Sequence, residues 1–219
     1  QDPGVSPSAF DLVVAPAHDG LSGPNVISTT GSLHGVNAAV LDVARGQFAD
    51  QVAGLPRPLL SVLLGGDNAV YRMTQAFSDQ LAEQLRVLAQ EHSWGLAITP
   101  SRRTPDHARA AISRALQDTD AAFWDETGAN PYLGFLAHAD AIVVTGDSVN
   151  MVCEATATGK PVHVAHLEGG SAKFTRFHQN MEARGWTRPF DGTLAQWDYD
   201  PPDDTAKVAA EIQRRIAIA

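Results

Sequence analysis

The chain contains one cysteine, Cys153, so no internal disulfide can staple the fold. A lone thiol suits a reducing compartment, and a cytoplasmic location is the expectation. No apolar run approaches the roughly 20 residues that a bilayer-spanning helix needs, and no secretory signal pattern opens the chain. Basic residues are scarce: 16 Lys and Arg face 25 Asp and Glu, a net charge of -9. That balance repels phosphate backbones and argues against a nucleic-acid partner. Internal repeats, low-complexity tracts and His/Cys/Asp/Glu groupings with metal-ligand spacing are absent too, so neither a solenoid nor a metal site is expected.

What is present is ordinary globular composition, 44% hydrophobic and 19% charged over 219 residues, enough for one large or two small domains. The chain opens Gln-Asp-Pro rather than with Met, and its first strand-like run has no obvious partner ahead of it, so a fragment of a longer protein is the expectation. From residue 59 onward, short apolar runs alternate with helical patterns. LLSVLL (59 to 64) precedes Val70, Met73, Phe77, Leu81, Leu85 and Leu88, spaced three or four apart as on one helix face. WGLAIT (94 to 99) precedes a helix that Thr104 would cap and Pro105 would open, with Ala108, Ile112 and Ala115 inward. AAFW (121 to 124), a short helix begun at Asn130-Pro131, AIVVT (141 to 145), a helix from Ser148 to Gly159, and VHVAH (162 to 166) continue the series. Fully apolar strands separated by helices predict an α/β fold whose parallel sheet is covered on both faces.

A helix over 171 to 185, with Phe174, Phe177 and Met181 on one stripe and Gly185 as its stop, comes next. An irregular Pro/Trp-rich stretch covers 186 to 202. A last helix starts near Asp204 and carries Val208, Ala209, Ile212 and Ile216 as an apolar edge that needs a partner. Ahead of the alternation, DLVVAP (11 to 16) and VIST (26 to 29) read as strands and a helix from Asn37 carries Val40, Leu41, Ala44 and Phe48. Two strands and a helix make a poor core alone. Residues 1–55 are therefore read as the end of an N-terminal α/β domain, 56–202 as a complete second domain, and 203–219 as a closing helix.

Parallel sheets bind ligands beyond the carboxyl ends of their strands, where helix N-termini offer unpaired N–H groups. The loops GGDN (65 to 68), PSRRTP (100 to 105), DETGANP (125 to 131) and GDSVN (146 to 150) all fall on that edge. Gly65 and Gly66 would let backbone approach a phosphate, or simply make a tight turn. Arg102 and Arg103 suit bidentate phosphate binding, or form a solvated pair. The Gly146-Asp147-Ser148 turn would present amides and a helix dipole to an anion. Asn150 and Glu154, four apart, share a face of the following helix, so the acid could accept ribose hydroxyls beside the phosphate, or point to water. Cys153 reads as an inert core residue rather than a nucleophile. His163 and His166 cannot face the same way on a strand. Lys173, Arg176 and His178 either touch the ligand or line a solvated face. His18, Asp19 and His34, ending the N-terminal strands, are candidates for an interdomain cleft, with His18 and Asp19 as candidate catalytic bases.

Taken together, GGDN, SRRTP, NPYLGFLAHADAIVVTGDSVNMVCEA and KFTRFH, with VVAPAHD and TTGSLHGV upstream, resemble the plant mitochondrial-fission (elongated-mitochondria) family and its bacterial relatives, from residue 11 nearly to the end. Those bacterial proteins are regarded as glycosyltransferases of the two-Rossmann-domain GT-B type. The resemblance implies a GT-B-like double Rossmann fold with a truncated N-terminal, acceptor-side domain and a complete Rossmann-like domain that binds a nucleotide-diphosphate sugar. It places Gly65, Gly66, Ser148 and Asn150 on the diphosphate, Glu154 on the ribose and the loop at 124 to 131 by the base. Arg102, Arg103, Lys173 and the Gly146 to Asn150 turn would steady the departing diphosphate without a metal or other cofactor. The final helix would cross back to the N-terminal domain. The expected activity is glycosyl transfer to an unknown acceptor, with inversion, from a fragment that binds nucleotide and turns over poorly or not at all. The alternatives are a nucleotide-sugar 2-epimerase of the same architecture and a non-catalytic scaffold.

Overall fold

The computed structural model describes residues 4–216, with the side chain of Ile216 outside the description. Residues 1–3 and 217–219, the ends of the first and last segments assigned from sequence, therefore lie outside the described residues. The chain runs through strand β1 (Val13–Pro16), a 3-10 turn (Ala17–Asp19), β2 (Val26–Thr29), helices α1 (Ala38–Gln47) and α2 (Ala49–Val52), β3 (Leu59–Leu64) and the short β4 (Tyr71–Arg72). It continues with α3 (Gln75–Gln90), β5 (Gly95–Pro100), α4 (Asp106–Ala115), β6 (Ala121–Phe123), α5 (Tyr132–His138), β7 (Ala141–Thr145) and α6 (Val149–Thr156). β8 (Val162–Ala165), β9 (Glu168–Gly169), α7 (Ala172–Ala183), β10 (Thr187–Pro189) and α8 (Asp204–Ile216) complete it.

The central sheet has six parallel strands in the order β10-β8-β7-β3-β5-β6. Numbered from β3, that is the 3-2-1-4-5-6 order of a Rossmann sheet, and the order reverses between β3 and β7. Every residue of β3, β5, β7 and β8 is buried, which is why these strands read as largely apolar runs broken only by buried polar residues such as Ser61 and His163. Leu81, Leu85, Leu88 and Ile112, on α3 and α4, cover one face of the sheet. Leu41, Leu136, Val152, Phe177 and Met181, from α1, α5, α6 and α7, cover the other.

Three local features depart from the sequence pattern. Val70 and Met73 lie outside α3, which begins at Gln75 with Thr74 accepting from the Phe77 amide; Tyr71 and Arg72 instead pair with the β8–α7 loop as a two-stranded antiparallel ladder. Thr104 does not cap α4, because its hydroxyl is drawn to the carbonyls of Leu64 and Gly65 and Pro105 occupies the cap position. The stretch 186 to 202 contains β10 and straps the sheet edge, with Tyr199 Oη donating to the carbonyls of Thr156 and Lys160.

The N-terminal segment divides physically. β1 and β2 form their own two-stranded parallel sheet, whereas α1 and α2 pack against α5 and the main core. The approach of α1 to α5 is close because Gly134 faces Phe48; a Cβ there would sit 2.4 Å from the Phe48 Cβ. At the far end of the chain, α8 is tied to the same segment: Asp204 Oδ2 accepts from the amides of Thr30 (2.6 Å) and Gly31 (3.3 Å), and Val208 is buried. Ala209, expected on the same edge, is exposed.

Gly134→Ala is expected to cost about 1–3 kcal/mol in urea unfolding by overpacking the α1–α5 contact. Gly46→Ala, in α1 with nothing near its would-be Cβ, is expected to gain about 0.5 kcal/mol, and the two changes should move the midpoint in opposite directions.

Candidate functional site

The carboxyl ends of β3, β5 and β7 are joined by one buried carboxylate. Asp147, in the turn between β7 and α6, has a side chain 0% exposed. It accepts from Thr145 Oγ1 (2.7 Å) and the Gly66 amide (3.0 Å) and pairs with the Arg103 guanidinium at 2.7 Å. Arg103 in turn donates to the carbonyls of Gly66 and Asp67. The Gly65 amide donates to Thr145 Oγ1. A Cβ on Gly65 would come within 2.2 Å of the Asp147 carboxylate, and one on Gly66 within 1.9 Å of the Arg103 carbonyl.

These contacts alter the expected roles. Both glycines are required, but their amides serve Thr145 and Asp147 and bring no donor to a phosphate. Arg103 is exposed but its guanidinium is engaged by Asp147 and by two loop carbonyls, whereas Arg102 is exposed with no described residue on its guanidinium. Asp147 offers no open carboxylate either. Thr145, Ser101 and Thr104, which hold this junction through their hydroxyls, went unassigned to the site; the hydroxyl ending the apolar run of β7 was the available signal.

Ligand-sized space opens next to this junction, on the side of the N-terminal segment. A cavity of about 210 Å³ is lined by Pro16, His18 and Asp19 from the end of β1, by Ser148 and Asn150 at the start of α6, and by Lys173 on α7. Ser148 caps α6, its hydroxyl accepting from the Met151 amide at 3.4 Å. The amides of Val149 and Asn150 have no carbonyl to reach within the helix, as at any helix start. Lys173 Nζ lies 2.5 Å from Asp19 Oδ1, and Asp19 also faces His18 Nε2 at 3.7 Å. Arg176 donates to the His18 carbonyl, and His178, two residues further along α7, bonds the Gly146 carbonyl at 2.8 Å. Lys173, Arg176 and His178 thus each have a protein partner, although Lys173 and Arg176 are also open to solvent.

Other candidates fall elsewhere. Glu154 is half-buried and accepts from Tyr132 Oη at 2.6 Å; it neither points to open water nor lines the cavity that holds Asn150. Tyr132, at the first turn of α5, was missed because its role depends on α5 lying beside α6. His34 meets Thr205 near the start of α8 rather than the cavity. His163 is buried against Trp197 while His166 is exposed, on opposite sides as strand alternation requires. Cys153 is buried, and desolvation pushes its thiol up to about 11. A larger cavity of about 490 Å³ between α1 and the start of α5 is lined by Ala39, Val40, Val43, Phe48 and Leu133 among others and holds no titratable group. Among the described residues no group of three or more His, Cys, Asp or Glu side chains is arranged to hold a metal ion, and no helix is long and apolar enough to cross a membrane.

A model of the family described as mitochondrial fission ELM1 matches residues 1–216. The chain belongs to that family. It is 37% identical over 198 residues to the mitochondrial fission protein ELM1 of Arabidopsis thaliana, covering 88% of this chain and 46% of that protein. It is 27% identical over 172 residues to an uncharacterized protein of Rickettsia prowazekii, covering 72% of this chain and 47% of that one. The chain thus spans about half the length of these relatives. Among solved structures, the UDP-GlcNAc 2-epimerase of Methanocaldococcus jannaschii, in complex with UDP-GlcNAc and UDP, superposes with a TM-score of 0.59 at 12% identity, over 93% of this chain and 57% of that one. The likeness identifies the fold as Rossmann-like and of GT-B type.

Asp147→Ala is expected to destabilise the ligand-free protein by about 3 kcal/mol or more, since it leaves buried donors without their acceptor. A thermal melt checks this; a carboxylate that only read ligand would leave the melt unchanged.

Acid should act through the buried imidazoles. Burial lowers His178 from 6.5 to about 4, and desolvation also lowers His18 and His163. Between those values the unfolded chain takes up a proton that the fold refuses. Stability is therefore full above pH 6.5 and falls toward about 4, by on the order of 3 kcal/mol for His178 alone. Urea midpoints at pH 7 and 4.5 measure this, and His178→Gln should flatten the profile.

Proposed function

We propose that this chain is the donor-binding half of a GT-B glycosyltransferase, seating the diphosphate of a nucleotide sugar at the start of α6. The observation that carries the reading is the convergence, beside the sheet's switch point, of an open helix N-terminus, a lysine and a His/Asp pair in one cavity. Ser148, Asn150 and the amides of α6 meet phosphate oxygens, and Lys173 and the exposed Arg102 add charge. Glu154, held by Tyr132, meets the ribose, and the loop at 124 to 131 lies by the base. The 1–55 segment supplies the acceptor side, and α8, clasped to Thr30 and Gly31, keeps that side in place.

In the transfer, Asp19 or His18 accepts the acceptor hydroxyl's proton. The hydroxyl oxygen bonds to the anomeric carbon, the bond from that carbon to the diphosphate oxygen breaks, and the electron pair leaves on the diphosphate, inverting the anomeric centre. Burial disfavours the His18 imidazolium and so weakens His18 as a base, which leaves the Asp19 carboxylate the stronger candidate of the two.

A second reading, a nucleotide-sugar 2-epimerase, draws on the likeness to the epimerase fold; an epimerase interconverts free nucleotide sugars with no acceptor present, and product analysis separates the two. A scaffold role draws on the plant relative's name, and for a scaffold no nucleotide should bind.

Calorimetry with uridine, guanosine and cytidine diphosphates is expected to find at least one that binds, with Asn150→Ala weakening it roughly tenfold. Failure of all three to bind would overturn the donor-binding reading.

A further inference from the structure

The ion pair between Lys173 and Asp19 crosses the proposed diphosphate cavity from α7 to the turn after β1. Its two ends differ in freedom. The Asp19 side chain is 1% exposed, on a turn held by the β1–β2 ladder and by Arg176 on the His18 carbonyl. The Lys173 side chain is 44% exposed, in the first turn of α7, on a flexible four-carbon stem. If one partner moves, it is the lysine. A diphosphate entering this cavity of about 210 Å³ meets the ammonium that bridges it, so the lysine is the group that it competes for.

Resting on the donor-binding reading above, we infer that Lys173 changes partner when the donor arrives, leaving the Asp19 carboxylate for a phosphate oxygen and so unmasking Asp19 as the acceptor-side base. A carboxylate clasped by an ammonium is a poor proton acceptor, because the neighbouring positive charge favours its ionised form. Moving that charge onto the diphosphate strengthens the base and at the same time stabilises the leaving group. One lysine thereby imposes an order: diphosphate first, acceptor deprotonation second. Without a donor, Asp19 is held as an ion pair beside His18 and is not presented to an acceptor or to water.

The competition between carboxylate and phosphate for one ammonium has a signature that a merely structural pair lacks. With inorganic pyrophosphate as the probe in calorimetry, Asp19→Asn should tighten binding roughly tenfold, because the neutral amide releases Lys173. Lys173→Met should weaken it by a similar factor, and the double variant should match Lys173→Met, the gain from Asp19→Asn vanishing once the lysine is gone. Unchanged or weaker binding by folded Asp19→Asn, or a gain that persists in the double variant, overturns the exchange. The native protein offers a variant-free test, since it has three lysines, at 160, 173 and 207. With carbon-13 lysine, the Lys173 ε-carbon resonance should shift on pyrophosphate addition along the same saturation curve as the heat, and a Lys173 signal that stays still at saturation overturns the proposal. If the native protein binds neither pyrophosphate nor any of the three nucleoside diphosphates while Asp19→Asn is equally inert, the donor-binding reading itself fails. If the native protein binds and Asp19→Asn gains nothing, only the partner exchange fails.

Discussion

The buried carboxylate of Asp147 is the constraint on which the ligand edge depends. A fully desolvated carboxylate is stable only when its lone pairs are met, and here a hydroxyl, an amide and a guanidinium meet them from three different strand-end loops. Because those partners come from the ends of β3, β5 and β7, the charge fixes the relative height of three loops at the point where strand order reverses. It also fixes the direction of α6, whose cap, Ser148, follows one residue later and whose first helical residue is Val149. Two glycines follow as a requirement: the carboxylate and the Arg103 carbonyl occupy the volume where their Cβ atoms would be.

That arrangement separates the rigid part of the edge from the part able to bind. The junction uses up the obvious phosphate ligands of the two glycines and Arg103, so open binding capacity moves to the next layer out, where the start of α6 faces Lys173 and the His18–Asp19 turn. The imidazoles behind that surface, His18 and His178, are disfavoured as cations by burial; His178 bonds the Gly146 carbonyl, and His18 packs edge-on against Phe177 of α7. The N-terminal strands are held to the main domain by side chains of α7 and by the first turn of α8, which gives the cavity a second wall.

Much of this was legible in the chain. Largely apolar runs of four to six residues separated by amphipathic helices led to a parallel, doubly covered sheet, because only strands buried on both faces lack alternation. The Gly-Asp-Ser turn was legible as a strand-to-helix corner for the same reason, and Cys153 as a core residue. The chemistry of single residues was less so. Gly65 and Gly66 read as positions where backbone meets a phosphate or turns tightly, but a glycine does not encode what approaches it. Glu154 stood out as an acid among apolar residues, yet its partner Tyr132 lies 22 positions away on another helix. The α1 and α2 helices looked attached to the N-terminal strands by adjacency, while packing attaches them to α5.

The sequence alone determined the alternation of the main strands and helices, the covered parallel sheet and the family, since periodicity and local motifs are properties of neighbouring residues along the chain. Tertiary structure decided which polar groups are spent internally and which remain open. A side chain's pairing is set by whatever the fold brings within about 3 Å, often from 80 or more positions away, as with Gly66 and Asp147. Local spacing carries no record of such encounters, so the lysine bridging to Asp19 could be seen only once α7 and the end of β1 stood across the same cavity.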